Sequence, residues 1–184
     1  PVIGMISRLS SQKGWDIFSE AADDLMKIDI QFAILGTGDE KYHHIVKNLS
    51  DKYPDKISAM ITFDDTLAHK IEAGADMFLM PSRYEPCGLN QMISLRYCTI
   101  PIVRATGGLD DVIKDYDSKN RAGNGFKFRE YSSKELIGSI KKALKIYKNR
   151  VEWDNIIKNG LKDNYSWDKS AIEYDSLYRQ LLLK

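Results

Sequence analysis

The chain has 184 residues, of which 43% are hydrophobic, so it is long and apolar enough to form one folded domain with its own core. Its 27 basic and 26 acidic residues leave a formal net charge of +1, which argues against a nucleic-acid or anionic-membrane partner. No apolar segment approaches the roughly 20 residues that span a bilayer, and no secretory signal opens the chain, so we expect a cytoplasmic protein.

Short apolar runs alternate with amphipathic segments along the chain. The runs predict buried strands because they are rich in β-branched residues and bounded by Gly, Pro, Ser or Asp. They are Val2–Ile6, Phe32–Leu35, Ile57–Ile61, Met77–Met80, Ile100–Val103 and, after a glycine loop, Phe126–Phe128. Segments of helical period lie at Trp15–Met26, Lys41–Lys52, Leu67–Ala73 and Leu89–Tyr97. This alternation predicts an α/β fold, a Rossmann-like three-layer sandwich with a mostly parallel sheet.

The remainder from Ser132 onward reads as helix in three segments, separated near residues 149–151 and 164–166. Upstream, Asp64 and Asp65 suit an N-cap before Thr66, and Gly74 suits the left-handed position that follows a helix. The last helix, residues 166–183, carries apolar side chains at Ile172, Leu177, Leu181 and Leu182. We expect this face to be partly exposed and to cause weak self-association.

Unusual residues concentrate in the loops that follow predicted strands, where doubly wound sheets bind their ligands. Arg8 and Lys13 follow the first strand and place two cations just before a helix, where they could grip a diphosphate. Gly36 and Gly38 follow the second strand in a tight turn, whose missing side chains let a ligand approach the backbone. Each feature also fits a plain turn or a surface charge.

Two further loops complete the pattern. Pro81-Ser82-Arg83-Tyr84-Glu85-Pro86-Cys87-Gly88-Leu89 follows the fourth strand and sets a carboxylate, Glu85, beside a helix start with unpaired amides, a pairing that suits sugar hydroxyls. Thr106-Gly107-Gly108 opens a helix after the fifth strand, where phosphate oxygens are favoured. Four such loops at one edge of a sheet favour a binding site over coincidence.

Histidines, cysteines and paired acids give no metal signal. His43, His44 and His69 lie in polar helical stretches and are interpreted as solvated, and the two cysteines, Cys87 and Cys98, as free thiols. Asp115-Tyr116-Asp117 has the Asp-x-Asp pattern of metal-dependent transferases but follows a helix, which favours a solvated loop.

The motifs Arg-Leu-x-x-Gln-Lys-Gly, Pro-Ser-Arg-x-Glu-Pro-Cys-Gly-Leu and Thr-Gly-Gly-Leu together resemble those of the glycogen and starch synthases, over essentially the whole chain. That resemblance implies one half of a GT-B glycosyltransferase, in which two Rossmann-like domains face each other across a cleft. Residues 1–184 would be the single nucleotide-sugar-binding domain. The last helix would return toward an N-terminal domain. The chain opens at Pro1 without an initiator Met and is expected to lack that domain.

The same resemblance implies a role for each motif residue. Arg8 and Lys13 would hold the pyrophosphate, with help from the amides of Thr106, Gly107 and Gly108. Glu85 would accept hydrogen bonds from glucose hydroxyls, and amides around Cys87, Gly88 and Leu89 would hold other sugar oxygens. Phe63 would lie against the base, although a core position for this side chain is an equal alternative.

The implied reaction is transfer of glucose from ADP-glucose or UDP-glucose, with retention, onto the nonreducing end of an α-1,4-glucan, without a cofactor or metal. The acceptor site would belong to the N-terminal domain, so the chain alone is expected to be inactive. Open alternatives are a binding module without turnover, a related transferase with another acceptor, and a plastid location. An NAD-type oxidoreductase is disfavoured because no Gly-x-Gly-x-x-Gly follows the first strand.

Overall fold

A computed structural model describes residues 1–182 and contains one six-stranded sheet of order β3-β2-β1-β4-β5-β6, in which every neighbouring pair is parallel. The strands are β1 (Val2–Ile6), β2 (Gln31–Leu35), β3 (Ile57–Met60), β4 (Met77–Met80), β5 (Ile100–Arg104) and β6 (Phe126–Phe128). The predicted Rossmann-like α/β fold is therefore confirmed, and all six predicted strands are present with boundaries within one residue.

Helices connect and cover the strands. They are α1 (Trp15–Leu25), α2 (Glu40–Lys52), α3 (Asp65–Gly74), α4 (Asn90–Arg96), α5 (Gly107–Val112), α6 (Ser133–Tyr147), α7 (Arg150–Lys162) and α8 (Trp167–Leu182). Of the two predicted N-cap residues, Asp64 caps α3, because its side chain accepts a hydrogen bond from the Leu67 amide, whereas Asp65 is the first residue of the helix. The prediction for Gly74 was wrong: this residue is the last of α3, and the chain leaves the helix through Ala75 in an extended conformation.

The three layers follow from the alternation of side chains along buried strands. On β4, Met77 and Leu79 point into a core that they share with α1, α2 and α6, whereas Phe78 and Met80 join a second core with α4 and α5. Both faces of β4 are fully buried, which explains why its sequence is continuously apolar rather than alternating.

The C-terminal helix α8 has no buried residue. Its apolar side chains Ile172, Leu177, Leu181 and Leu182 are 48–86% exposed, as the sequence predicted for this face. Residue 183, the predicted end of this helix, lies outside the described residues. Among residues 1–182 no helix is long and apolar enough to cross a bilayer.

Candidate functional site at the crossing point of the sheet

The strand order reverses between β1 and β4, because β2 and β3 extend the sheet to one side of β1 while β5 and β6 extend it beyond β4. Doubly wound sheets bind ligands in the crevice that opens at the carboxyl ends of the strands at such a point. A cavity of about 430 Å³ lies there. The loops after β1, β2, β3 and β4 line it together with the first turns of α3 and α4.

Lys13 and Glu85 meet in this cavity although 72 residues separate them in the sequence. The Lys13 ammonium donates a hydrogen bond to Glu85 Oε2, and the two side chains are only 16% and 8% exposed. Ser82 Oγ adds a second donor, 3.3 Å from the same oxygen. The predicted phosphate-binding cation and the predicted sugar-binding carboxylate thus form one buried ion pair.

A glycine brings the two loops this close. Ser11–Lys13 form one turn of 3₁₀ helix, and Gly14 follows at a φ of +79°, a conformation that favours glycine. A side chain at Gly14 would collide with the backbone carbonyl of Pro81. Lys13 therefore reaches Glu85 only because the neighbouring residue lacks a Cβ.

Gln12 joins the same loops. The Arg83 amide donates to the Gln12 carbonyl at 2.8 Å, and Gln12 Nε2 donates to the Tyr84 carbonyl at 3.1 Å. Arg8 lines the cavity, and its Nη2 donates to Gln12 Oε1 at 3.2 Å, so the second predicted cation is oriented toward the site. The loop after β1 therefore carries both predicted diphosphate ligands and supports the loop with Glu85.

The glycine turn after β2 packs against the loop after β1. Gly36 lines the cavity, whereas Gly38 pairs with Leu9 outside it. The Gly38 amide donates to His43 Nε2 at 2.9 Å, so His43 stabilises the turn. His43, which the sequence placed on a solvated face rather than in a metal site, thus has an additional contact that the sequence does not show, because the first turn of α2 folds back over the glycines.

The loop with Glu85 is also held from α5. The Gly108 amide donates to the Glu85 carbonyl at 3.0 Å, and Gly107 adopts a φ of +46° directly over that carbonyl. Gly88 and Leu89 line the cavity, whereas Cys87 and the three residues Thr106, Gly107 and Gly108 do not. The Gly108 amide is engaged by protein in this structure, and it supports Glu85 rather than pointing free.

The far end of the cavity is formed by the loop after β3 and by α3. Phe63 lines it with 84% of the side chain exposed, which removes the alternative of a core phenylalanine. His69 and Glu72 also line it, with His69 Nδ1 3.3 Å from Glu72 Oε2. Burial raises the pKa of Glu72, partly offset by His69. His69 is 46% exposed, in agreement with the predicted solvated position, and it also lines the cavity.

The site accordingly gathers Arg8, Lys13, Gly36, Phe63, Glu85, Gly88 and Leu89 around one cavity. No group of three or more His, Cys, Asp and Glu side chains within residues 1–182 is arranged to hold a metal ion. Asp115 accepts from the Lys127 amide and pairs with Lys142, and Asp117 closes a turn by accepting from the Lys119 amide. Cys87 and Cys98 are free and exposed, as predicted.

An all-parallel, doubly wound sheet with its cavity at the crossing point is a Rossmann-like architecture, the fold class of one half of a GT-B glycosyltransferase. The sequence profile of the family Glycosyl transferases group 1 matches residues 1–160, and the chain belongs to that family.

Individual relatives agree with this assignment. The chain is 54% identical over 185 residues to a glycogen synthase of Pseudothermotoga lettingae and 52% identical over 182 residues to one of Kosmotoga olearia. It is covered to 100% and 99% in these matches but spans only 38% of either relative's length. The resemblance to glycogen synthases is thus confirmed.

Solved structures are similar over the same extent. The catalytic domain of starch synthase IV from Arabidopsis thaliana, bound to ADP and acarbose, superposes with a TM-score of 0.90 at 31% identity, covering 100% of this chain and 39% of that one. A sucrose-phosphate synthase from Thermosynechococcus elongatus gives a TM-score of 0.75 at 22% identity, covering 100% of this chain and 46% of that one, a likeness of fold alone.

Proposed function

We propose that this chain binds a nucleoside diphosphate glucose and forms the donor half of a glucan-building glycosyltransferase. The observation that carries the proposal is the Lys13–Glu85 pair in the cavity between β1 and β4, which sets a cation for a diphosphate beside a carboxylate for sugar hydroxyls. The glycogen synthases and the ADP-bound starch synthase that the chain resembles support the same ligand.

In this proposal the diphosphate lies between the loop after β1 and the N-terminus of α5. Arg8 and Lys13 neutralise its charge, and the amides of Thr106 and Gly107 assist them. Gly36, which lines the cavity, lets it lie close to the backbone, whereas Gly38 supports the turn from outside the cavity. Stabilising the charge on the departing diphosphate by fixed cations and dipoles is the term that commonly contributes most to such catalysis.

The glucose would lie at the other side of Lys13. Glu85 accepts from its hydroxyls, and backbone amides of the segment Cys87, Gly88 and Leu89 donate to its oxygens. The base lies at the far end of the cavity, against the exposed ring of Phe63. This placement uses the whole length of the cavity between Glu85 and Phe63.

The longer relatives suggest the reaction to which such a donor belongs. We infer transfer of glucose, with retention, onto the nonreducing end of an α-1,4-glucan, through an oxocarbenium-like transition state. The acceptor site would lie in the part of those relatives that this chain does not span, so the chain by itself would bind the donor without turnover. A cytoplasmic location and independence from metal and cofactors belong to the same proposal.

Calorimetric titration with ADP, UDP, ADP-glucose, UDP-glucose and NAD tests the proposal, first with a chelator and then with magnesium. We expect one nucleoside diphosphate and its glucose conjugate to bind with and without magnesium, and NAD not to bind. Binding of NAD alone, or a strict requirement for magnesium, would contradict it. A related transferase with a different acceptor would give the same titration result. Assaying the full-length protein with glucans distinguishes this alternative from the proposed function.

A further inference from the structure

A cluster of four side chains lies outside the cavity and includes one residue of the loop that carries Glu85. It consists of Arg83, Asp16, Tyr131 and Arg104, and none of them lines the cavity. The four come from the loop after β4, from α1, from the segment after β6 and from the end of β5. We call this set the Arg83 cluster.

Asp16 is the centre of the cluster, because both of its carboxylate oxygens are engaged. Tyr131 donates its hydroxyl hydrogen to Oδ1, and Arg83 Nη2 donates to Oδ2 at 2.8 Å. Partial burial favours the protonated form of Asp16, but the hydrogen bond from Tyr131 and the charge of Arg83 outweigh it and lower the pKa of this carboxyl. The carboxylate is therefore held ionised against the Arg83 guanidinium.

Arg83 is fixed in a second direction by stacking. Its guanidinium lies 4.1 Å from the centroid of the Tyr131 ring, within the range of a cation–π contact. The Arg104 guanidinium lies 5.4 Å from the same centroid. Its Nη1 donates to the carbonyl of Arg83 at 2.6 Å, and its Nε donates to the Arg129 carbonyl at 3.0 Å. These contacts fix the backbone at Arg83, two residues before Glu85.

We propose that Arg83 is a positioning residue, which acts through the loop backbone to set the Glu85 carboxylate at its place in the donor site. Arg83 is not among the residues that line the cavity, whereas Glu85, two residues further along the same loop, lines it. Displacement of a positioned group by about 1 Å can cost on the order of 100-fold in function. The inference rests on the proposed function, since it assigns Glu85 to the sugar.

A merely structural role would look different. The Arg83–Asp16 pair is half exposed, and pairs of this kind contribute only about 0–1 kcal/mol to stability. Its removal should therefore leave the fold intact. A positioning role predicts instead that binding of the glucose part of the ligand is weakened selectively. Binding of the diphosphate, which depends on the loop after β1, should not be weakened.

The test compares Arg83→Ala with Arg83→Lys and with Arg150→Ala, a control that removes an exposed ion pair to Asp154 on α7. Titration with ADP and ADP-glucose should show that Arg83→Ala weakens ADP-glucose by about tenfold while the binding of ADP is not weakened. Arg83→Lys, which keeps the charge and loses the planar stacking, should fall between wild type and Arg83→Ala. Arg150→Ala should change neither ligand.

A second measurement needs no ligand. The Gly108 amide donates to the Glu85 carbonyl, so its hydrogen exchange reports where that peptide lies. The Ile113 amide, bonded within α5 to Leu109, is the internal control. In Arg83→Ala we expect Gly108 to exchange about tenfold faster or more, with Ile113 unchanged.

Equal weakening of ADP and ADP-glucose, or an unchanged Gly108 exchange rate, overturns the inference. If the wild-type chain binds none of ADP, UDP, ADP-glucose and UDP-glucose, the proposed function fails. The exchange rates then decide alone whether Arg83 positions Glu85. The two failures are therefore separate results.

Discussion

At the scale of single residues, Lys13 is the more enclosed of the two predicted diphosphate ligands, at 16% exposure of its side chain. We predict that Lys13→Ala weakens binding of ADP by about 1.5–3 kcal/mol, the value of a hydrogen bond to a charged group. Arg8→Ala should act in the same direction. Calorimetric titration measures both effects.

The matched control is Lys47→Ala, which removes a lysine from an exposed ion pair with Asp51 on α2, away from the cavity. This variant should bind ADP as the wild type does. Unchanged titration curves for both Lys13→Ala and Arg8→Ala would remove the assignment of these cations to phosphate.

Substitution of Glu85 is expected to strengthen ADP binding, in contrast to substitution of Lys13 or Arg8. Because its carboxylate occupies the Lys13 ammonium in this structure, a diphosphate must compete with it for that cation. We predict that Glu85→Gln strengthens ADP binding by about 1–2 kcal/mol while weakening ADP-glucose, which loses a charged acceptor for its hydroxyls. Parallel titrations with the two ligands measure the split, and weaker binding of ADP by Glu85→Gln would contradict it.

Motif residues could be predicted from the sequence, but their contacts could not. Lys13 and Glu85 stand out because each follows a buried strand, yet their direct pairing depends on β4 returning to lie beside β1. The contact of His43 was missed for a similar reason, since only the folded turn brings the Gly38 amide to its ring. The Arg83 cluster joins four separate segments and carries no local pattern.

At the scale of elements, α4 is followed by a cysteine in a backbone conformation in which glycine is usual. Cys98 adopts a φ of +64°, and the amides of Cys98 and Thr99 donate to the carbonyls of Leu95 and Ser94. This is a Schellman arrangement, in which the left-handed position is usually glycine. We predict that Cys98→Gly raises the free energy of unfolding by about 0.5–1 kcal/mol, because the strain of the left-handed side chain is removed.

Denaturant unfolding of Cys98→Gly against Cys98→Val measures this effect. Val is β-branched and tolerates positive φ poorly, so it should destabilise the chain. Equal stability of the two variants would show that the end of α4 is not strained.

In helix α6 a glycine can be replaced by a residue with a side chain. Gly138 lies in its interior, is exposed, and a Cβ there would meet no atom within 4 Å. We predict that Gly138→Ala stabilises the chain by about 1 kcal/mol, the difference in helix propensity between these residues. A shift of the urea midpoint to higher concentration at constant slope is the expected observation, and a lower midpoint would contradict it.

The boundaries of strands and helices were predictable where the hydrophobic pattern is strong. They were less predictable where the conformation of the following loop determines the end of a helix. The buried strands are recognised from continuous apolar runs, because both faces of the sheet are covered. The end of α3 was misplaced at Gly74, because glycine also occurs within a last turn when the following residue is extended. Local sequence does not distinguish these two endings.

At the scale of the whole molecule, α8 presents its apolar side chains to solvent over more than four turns. We predict weak self-association through this helix, because exposed apolar patches of this kind favour contacts between copies. Sedimentation velocity over a range of concentrations should show a mass that rises with concentration. The double variant Leu177→Lys and Leu181→Lys should remain monomeric, and a monomeric wild type at high concentration would refute the prediction.

The junction between β1 and β4 has a consequence for folding. Its ladder pairs only Ile3 with Met77 and Gly4 with Phe78, whereas the other junctions pair three to five residues. Strands β1 to β3 and β4 to β6 each pair with their sequence neighbours, so each half can assemble through contacts of shorter range. The narrow ladder between the halves is the place where the cavity opens. A donor bound as proposed would contact both halves and stabilise them together, so occupancy of the site and cooperativity of unfolding would be coupled.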